Sequence, residues 1–340
     1  MTVRDLPPNI FAVVMATGIV SIAALSGGMT AIAWGLFGLN LLLYAVLWVL
    51  LIARCVVHPR AVGDDLHSHA KAPGFFTIVA AAGILGNQFV LFGVSTAIAV
   101  VLWQIALLFW FALTYAVLPW LMERGDKPPL EKGLNGAWLV AVVGTQAVSV
   151  LGSLIADELP AGSGPFTALC FWLLGGMLYV WLISLIFYRI LFFPLSPGDL
   201  TPPYWINMGA MAISALAGAR VAALSDQSQL IAELQPFIKG GTLLFWATAT
   251  WWIPTLLALG AWRHVRQKYP LRYDHGYWSA VFPLGMYTVA TKTIADSFDL
   301  PFLTALPTVF VWIALAAWAA TFLGLLLSLV PRRSLEEAQP

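Results

Sequence analysis

Three charged residues of the 340-residue sequence stand inside those of its long apolar stretches that are rich in small and polar residues, where a charge costs a few kcal/mol at least and usually serves a function. They are Arg220, Lys292 and Asp296. At a rise of ~1.5 Å per residue, Arg220 and Lys292 lie ~26 and ~22 Å from the starts of their stretches. Asp296 follows Lys292 by four residues, so the two can pair on a helix. Two interpretations stay open: a positive outer mouth that attracts anions, or snorkelling of Arg220 beside a structural ion pair.

Uncharged polar side chains are scattered through the same kind of stretch. Hydroxyls and amides can donate hydrogen bonds to an anion without trapping it, and some are expected to bond neighbouring helices instead. Asp296 is the only carboxylate available there, which argues against a cation channel and makes it the one candidate proton relay. The candidates for lining a pore are Phe11, Thr17, Ser21, Phe76, Asn87, Gln88, Thr145, Gln146, Asn207, Ser214, Thr288 and Thr291.

Motifs of the common hydrolases and ATPases are missing from the sequence: it has no G-x-S-x-G, H-E-x-x-H or Walker A pattern. His67 and His69 could touch a metal, but a solvated loop is the favoured interpretation. Cys55 and Cys170 form neither a disulfide framework nor a zinc spacing. We therefore predict no catalytic residue, no metal, no cofactor and no enzymatic activity. A membrane-embedded enzyme or sensor is the remote alternative.

The composition of the chain is that of a membrane protein. Hydrophobic residues make up 60% of the sequence and charged residues 10%, against about 45–50% and about 25% in soluble proteins. A single soluble core cannot bury so much apolar surface. The net charge of +1 offers no basic field for nucleic acid, and the 16 tryptophans suit membrane interfaces. The sequence therefore indicates an all-α polytopic membrane protein and excludes soluble enzymes and nucleic-acid binders.

Ten stretches are long and apolar enough to be predicted as transmembrane helices. The predicted domain is a single transmembrane one over residues 1–340, with short cytoplasmic termini at 1–8 and 331–340. The ten stretches are Asn9–Leu25, Ala31–Ala53, Pro73–Phe92, Thr96–Leu118, Asn135–Ile155, Phe166–Phe193, Pro203–Leu224, Gly241–Trp262, Tyr277–Ser297 and Leu303–Val330.

Lysine and arginine are sorted between the two sides of these stretches. Of 17 such residues, Lys239 follows an odd-numbered stretch, while Arg220 and Lys292 lie inside odd-numbered stretches. The positive-inside rule then places both termini in the cytoplasm, as an even number of spans requires, and the expected location is the cell (inner or plasma) membrane. The remaining cations are Arg4, Arg54, Arg60, Lys71, Arg124, Lys127, Lys132, Arg189, Arg263, Arg266, Lys268, Arg272, Arg332 and Arg333.

Odd-numbered and even-numbered stretches differ in composition. The even ones are rich in Leu, Trp and Phe, which suit lipid, whereas the odd ones are rich in small and polar residues, which suit close helix contact or a lumen. Phe76 follows Phe11 by 65 residues and Trp205 follows Trp138 by 67, a weak repeat of one helical hairpin. We predict five hairpins around a central pore, with odd helices inside and even helices outside. A ten-helix bundle with a closed core is the alternative.

A phenylalanine–proline pair interrupts the ninth stretch. Pro283 removes a backbone hydrogen bond and can kink the helix. Phe282, one residue earlier, could then point into the axis and close it as a hydrophobic plug. From composition alone, ordinary aromatic packing is the favoured interpretation.

Three motifs in order resemble the tellurite-resistance/dicarboxylate transporter family, which includes plant slow anion channels, fungal malate permeases and fungal sulfite efflux pumps. They are Phe11 with Met15-Ala-Thr-Gly18, then Ala72-Pro-Gly-Phe-Phe-Thr77, and Trp278-Ser-Ala-Val-Phe-Pro-Leu-Gly-Met286 with Ala290-Thr291. The resemblance covers nearly the whole chain. It implies five hairpins around a pore, a homotrimer with one pore in each protomer, and Phe282 as the residue that occludes the pore.

The function that this resemblance implies is the passage of small anions across a membrane. We expect a channel or transporter for small inorganic or organic anions, gated by Phe282 next to Pro283. The alternative is a proton-coupled exporter of C4-dicarboxylates such as malate, or of sulfite. The expected partners are small anions, the lipid bilayer and two further copies of the chain, and no nucleic acid.

Overall fold

The computed structural model describes residues 2–160 and 162–329, and within these ranges the chain is helical without a β-strand. Ten helices of 15 or more residues occur in this part of the chain. They are α1 (Ala12–Ser26), α2 (Thr30–Val57), α3 (Thr77–Leu91), α4 (Thr96–Glu123), α5 (Val140–Leu154), α6 (Ser163–Phe192), α7 (Ile206–Ala222), α8 (Gln235–Ala261), α9 (Trp278–Ser297) and α10 (Ala305–Leu329).

The ten helices lie close to the predicted stretches. Two outer helices extend beyond the predicted stretches. Helix α8 begins at Gln235, six residues before the predicted Gly241, and α4 continues past Leu118 to Glu123. Pro236 stands in the first turn of α8, where its missing N–H costs little, whereas Pro119 lies inside α4 and removes one backbone hydrogen bond there. Val330, Arg332 and Arg333 lie outside the described residues.

Seven helices of the described chain are long and apolar enough to cross a membrane. Of the other three long helices, α1 and α7 have 15 and 17 residues, and α9 carries Lys292 and Asp296. The arrangement of all ten helices as membrane-spanning hairpins stays a prediction. The seven are Thr30–Val57, Ala72–Leu91, Thr96–Glu123, Gly136–Leu154, Ser163–Phe192, Gln235–Arg266 and Pro301–Leu329.

Short 3₁₀ turns precede four of the odd-numbered helices, at Ala72–Phe76, Gly136–Leu139, Pro202–Trp205 and His275–Tyr277. Proline stands at the start of the first and third turns, where its missing N–H costs little. The side chains of Asn135 and Asp274 accept backbone N–H bonds at the second and fourth. These local signals fix where each helix begins.

The odd-numbered helices form a ring. In this ring α1 packs against α3, α3 against α5, α5 against α7, α7 against α9, and α9 against α1. Each even-numbered helix lies outside and contacts the inner helix before it and the one after it. Burial follows this order. In the most apolar 18 residues of Ala72–Leu91, on the inner ring, 89% are buried, against 11% in Pro301–Leu329, on the outside. Small residues on the inner helices allow the close contacts, and Leu and aromatic residues cover the outside.

Side-chain hydrogen bonds tie each outer helix to the next inner helix, with α10 returning to α1, and we single out one such bond at each joint. We call these five bonds the clasps. In four of them a tryptophan indole is the donor, so a bulky apolar ring also fills the joint between two hairpins. The clasps run from Asn40 to Gln88 (2.7 Å), Trp110 to Thr145 (2.7 Å), Trp172 to the Ser214 carbonyl (3.0 Å), Trp246 to Thr291 (3.0 Å) and Trp318 to Thr17 (3.0 Å).

The clasp between α10 and α1 gives a stability prediction. Replacing Trp318 by Phe removes the indole donor and leaves the Thr17 hydroxyl oxygen without it, so the free energy of unfolding should fall by about 0.6–1.7 kcal/mol. Thermal or denaturant unfolding in detergent measures this change. Trp312→Phe is the matched control, because Trp312 lies on the same helix and is exposed. Equal stability of the two variants would contradict a stabilising clasp.

Candidate functional site

A cavity of about 600 Å³, which we call the vestibule, lies at the end of the ring where the inner helices begin. All five inner helices reach it through residues just before or within their first turns. These residues are spaced alike, each three positions before an equivalent residue on the helix that follows. They are Asn9, Gly74, Ala137, Pro203 and Gly276. The vestibule therefore surrounds the ring axis.

Charges of both signs line the vestibule. Arg54 is buried, and its guanidinium pairs with Asp65 at 2.6 Å while Nε donates to the Arg4 carbonyl at 3.0 Å. Lys71 bonds the same Asp65 carboxylate at 2.8 Å. Asp5, Asp64 and Asp274 also line the cavity. Side chains alone thus give it little net charge, and the N-terminal ends of five helices supply a partial positive field.

His275 is the titratable ring of the vestibule. Burial lowers its pKa below the ordinary value, against the neighbouring Asp274 carboxylate, which raises it. Its Nδ1 contacts the Tyr273 hydroxyl at 3.4 Å. The imidazole is therefore neutral near pH 7 and gains its charge only in acid.

A second cavity, of about 10 Å³, lies one turn deeper on the same axis and has room for about one water molecule. All five inner helices line it. Five of its residues follow the vestibule residues by three positions on each helix, which fixes the helix faces that point to the axis. The lining residues are Ala12, Met15, Thr77, Val140, Val143, Ile206, Ser279 and Phe282.

Phe282 closes this cavity from the side of α9. The ring is 1% exposed and lies against Gly209 of α7, where an added Cβ would be 3.3 Å from Phe282 Cε1 and 2.8 Å from Pro283 Cγ. Glycine at 209 thus leaves the space that the phenyl ring fills. Helix α9 continues through Pro283 from Trp278 to Ser297. The role of Phe282 and Pro283 as a gate stays a prediction.

Beyond Phe282 the axis-facing positions are apolar. Two helical turns after the lining residues Ala12, Thr77, Val140, Ile206 and Ser279, each inner helix carries a fully buried apolar side chain. The axis is therefore filled with hydrocarbon at this depth. The five side chains are Ile19, Ile84, Ala147, Ile213 and Met286.

Arg220 and Lys292 do not share one surface. Arg220 follows Ile206 by 14 residues, about four turns, so it lies on the axis side of α7 at the far end, and its Nε is buried without a hydrogen-bond partner. Lys292 lines a crevice of about 300 Å³ between α1, α9 and α10, with Thr288. It pairs with Asp296, at 2.7 Å to Oδ1, as the four-residue spacing predicts.

Most polar candidates bond other helices or their own in this conformation. Thr17, Gln88, Thr145 and Thr291 accept the clasps. Ser21 donates to the Ala33 carbonyl and Gln146 to that of Trp172, both on outer helices, whereas Ser214 and Thr288 donate within their own helices. The carboxamide oxygens of Asn87 and Asn207 are buried without hydrogen-bond partners. Phe11 packs edge-on against Tyr44 and Trp48. Phe76 is buried in the turn before α3. Pore lining stays a prediction for these residues.

The histidine pair near the vestibule is engaged in a loop. His67 stacks on Trp120 with ring centroids 4.9 Å apart, and its Nδ1 contacts the Gly63 carbonyl at 2.7 Å. Burial, with Arg124 as a lesser cause, lowers the pKa of His69. Within residues 2–160 and 162–329, no three His, Cys, Asp or Glu side chains are grouped to hold a metal ion.

Comparison with known proteins identifies the family. The model of the SLAC1 family, described as voltage-dependent anion channel, matches residues 5–326 of the chain. The chain belongs to this anion channel family. The resemblance seen in the sequence motifs is thereby confirmed, and the protein is a multi-pass membrane protein of a family of channels and transporters rather than enzymes.

Three relatives of this family member differ in sequence identity and in how much of the chain they cover. An uncharacterized membrane protein of Mycobacterium tuberculosis is 43% identical over 149 residues, covering 44% of this chain and 75% of the relative. An uncharacterized transporter of Methanocaldococcus jannaschii is 25% identical over 332 residues, covering 94% and 92%. A sulfite efflux pump of Trichophyton rubrum is 24% identical over 346 residues, covering 95% and 90%.

Two parts of the site are not predicted from the sequence of this family member. The vestibule residues are missed because they are uncharged and stand just before the inner helices, four of them in the short 3₁₀ turns, although their equal spacing before each inner helix is a signal in the sequence. Gly209 is missed because one glycine among many small residues carries no mark of its partner. Its contact with Phe282 appears only when α7 and α9 are packed.

Gly209 should be intolerant of even one methyl group. In Gly209→Ala the new Cβ would lie 2.8 Å from Pro283, and this overpacking should lower the free energy of unfolding by about 1–3 kcal/mol relative to a matched glycine replacement. Gly35→Ala on α2 is that control, since its Cβ meets nothing within 4 Å. Unfolding in detergent compares them. If the two variants are equally stable, α7 and α9 do not meet as closely as described.

Proposed function

We propose that this protein passes small anions along the axis of the inner ring and that Phe282 gates the passage. The proposal is carried by two cavities on one axis. The vestibule and the water-sized cavity are both lined by all five inner helices, and Phe282 lies on the axis beside the water-sized cavity. The ten long helices would cross the bilayer as five hairpins in a single membrane domain. Family membership supports anions as the cargo.

Orientation and assembly are part of the proposal. The sorting of Lys and Arg supports a cytoplasmic position for the vestibule and both termini, in the cell membrane. Each chain closes its own ring of five helices, so one protomer holds a complete path. This supports a separate pore in each protomer, and the homotrimer rests on the family resemblance.

Electrostatics at the two ends and hydrocarbon between them would set the selectivity. Five helix N-termini favour an anion in the vestibule. Ser279 then offers a hydroxyl group next to Phe282, Thr77 lies in the same cavity with its hydroxyl donating to the Gly74 carbonyl at 2.7 Å, and Arg220 lies at the far end of the same axis. No carboxylate of the described inner helices faces this axis, because Asp296 pairs with Lys292 off the axis. A cation would therefore find no carboxylate along the passage beyond the vestibule.

Replacing Phe282 by Ala tests the gate. Removing the ring should raise anion flux through purified protein in liposomes by about tenfold, the change that a barrier lower by about 1.4 kcal/mol gives. Flux is measured for a panel of anions, chloride, nitrate, sulfite and malate among them. Phe111→Ala is the control, because Phe111 is exposed on the outer face of α4. Unchanged flux in Phe282→Ala would reject the gate, and no anion flux in any variant would reject the function.

The two intramembrane cations should differ in effect. Arg220→Gln should lower anion flux, most strongly at low salt, because a ~10 Å screening length at 0.1 M weakens its field. Lys292→Gln should have a smaller effect, since Lys292 faces the lateral crevice and is paired with Asp296. Flux at two ionic strengths compares them. Equal losses, or a loss in Lys292→Gln alone, would contradict Arg220 as the axial cation.

A proton-coupled exporter of sulfite or dicarboxylate is the second candidate. The sulfite efflux pump relative aligns with 95% of this chain. Asp296 is the only carboxylate in the described inner helices, and it pairs with Lys292. The same liposomes with an imposed pH gradient separate the candidates: gradient-driven accumulation of sulfite or malate indicates the exporter, and flux indifferent to the gradient indicates the channel.

A further inference from the structure

Three buried arginines lie at the ends of outer helices on the vestibule side. Arg54 ends α2, Arg189 ends α6, and Arg263 lies in the π-helical turn Trp262–Arg266 that follows α8. Each is 9% exposed or less. A cation suits a helix C-terminus, but burial of a full charge normally requires an anionic partner as well.

Two of the three arginines have carboxylate partners. Arg54 bonds Asp65 at 2.6 Å. Arg189 lies 3.9 Å from Asp199 and also donates to the Tyr204 hydroxyl at 2.6 Å. These contacts provide what a buried guanidinium needs: a counter-charge and several acceptors.

Arg263 differs from both. One terminal nitrogen donates to the Leu200 carbonyl at 2.6 Å, and the guanidinium lies 4.4 Å from the centre of the Tyr269 ring. Its Nε is buried without a hydrogen-bond partner. No carboxylate of the described residues forms a salt bridge with it within 4 Å. The charge is thus surrounded by an aromatic ring, a carbonyl and hydrocarbon.

Arg263 also lines an apolar pocket of about 200 Å³. Leu256 and Leu259 of α8 form one wall, Leu271 another, and Trp205 and Tyr277 close it toward the inner helices. Gly260 adds no side chain, and an added Cβ there would meet nothing within 4 Å. The pocket combines one unpaired guanidinium with space for hydrocarbon.

The pocket lies at the depth of lipid headgroups. The helical run Gln235–Arg266 has 32 residues and is about 48 Å long, against a hydrocarbon core of about 30 Å, so its last turns reach the headgroup region. Leu271 of the pocket wall is exposed, as are Leu257 and Val265, which are next in sequence to pocket residues. A molecule in the membrane can therefore approach Arg263 with its acyl chain still in hydrocarbon.

We propose that this pocket binds one anionic phospholipid, with the phosphate on Arg263 and an acyl chain along Leu256 and Leu259. A guanidinium presents paired N–H donors that match phosphate oxygens, and basic pockets between membrane helices suit acidic headgroups. The pocket walls Trp205 and Tyr277 immediately precede α7 and α9, and Tyr277 is five residues before Phe282. Bound lipid would therefore brace the starts of the two helices that meet at Gly209 and Phe282.

Native mass spectrometry of the detergent-solubilised full chain tests the proposal without any transport assay. Wild-type protein should retain phosphatidylglycerol in preference to phosphatidylcholine. Arg263→Gln should weaken phosphatidylglycerol binding by about ten- to hundredfold, the loss expected for a hydrogen-bonded charge. Arg266→Gln should bind as wild type, because Arg266 is an exposed cation three residues away. Equal binding by Arg263→Gln, or equal retention of phosphatidylcholine, would overturn the proposal.

Gly260→Leu is the second variant and leaves Arg263 in place. Its side chain would fill the open space beside the guanidinium, so phosphatidylglycerol binding should be lost while unfolding in detergent stays cooperative. This variant decides the question if Arg263→Gln does not fold. The last experiment adds inorganic phosphate as a competitor. If phosphate does not displace the lipid, the result supports a phospholipid site. Displacement at millimolar concentration overturns the phospholipid proposal in favour of a site for a free anion. Retained lipid in Gly260→Leu would also reject the pocket.

Discussion

The need to satisfy polar side chains in a low-dielectric environment governs this structure. Helices in lipid gain little from the hydrophobic effect, so they associate through close packing and hydrogen bonds. The clasps do this at every joint between hairpins, each time from an outer helix to the next inner one. Most hydroxyls and amides of the inner helices are consequently engaged by neighbouring helices or by their own, and the axis two turns beyond the second cavity is lined by apolar side chains.

This arrangement would allow the proposed gate to consist of a single side chain. At the level of Phe282 the equivalent positions of the other inner helices hold Met15, Ala80, Val143 and Gly209. Five large rings would not fit at one depth, and five small residues would leave an open hole. One phenyl ring beside a glycine fills the space, because the repeat is regular in backbone position but not in side-chain volume.

The sequence predicts the helices well and their faces poorly. Long Leu- and Trp-rich runs mark α2 and α4 because lipid-facing helices are apolar all round, and the motif around Phe282 singles out α9. An inner helix is buried on every side, so its residues show no periodic contrast between core and solvent. Thr145, for example, fits a lumen as well as it fits an indole donor, and only the position of Trp110 decides between them. Lys292 is ambiguous for the same reason.

The last clasp has a consequence for how the chain is made. Trp318 and its acceptor Thr17 are 301 residues apart, so the seam between the first and last hairpins cannot seal until synthesis is almost complete. At about 5–20 residues per second, the first helix waits roughly 15–60 s for its partner. During that interval the hairpins form an incomplete ring in the bilayer, and the side of the first hairpin that will contact α10 is not yet covered. Ring closure is then the final event of biogenesis, and a chain that stops before α10 leaves an edge that membrane quality control can recognise.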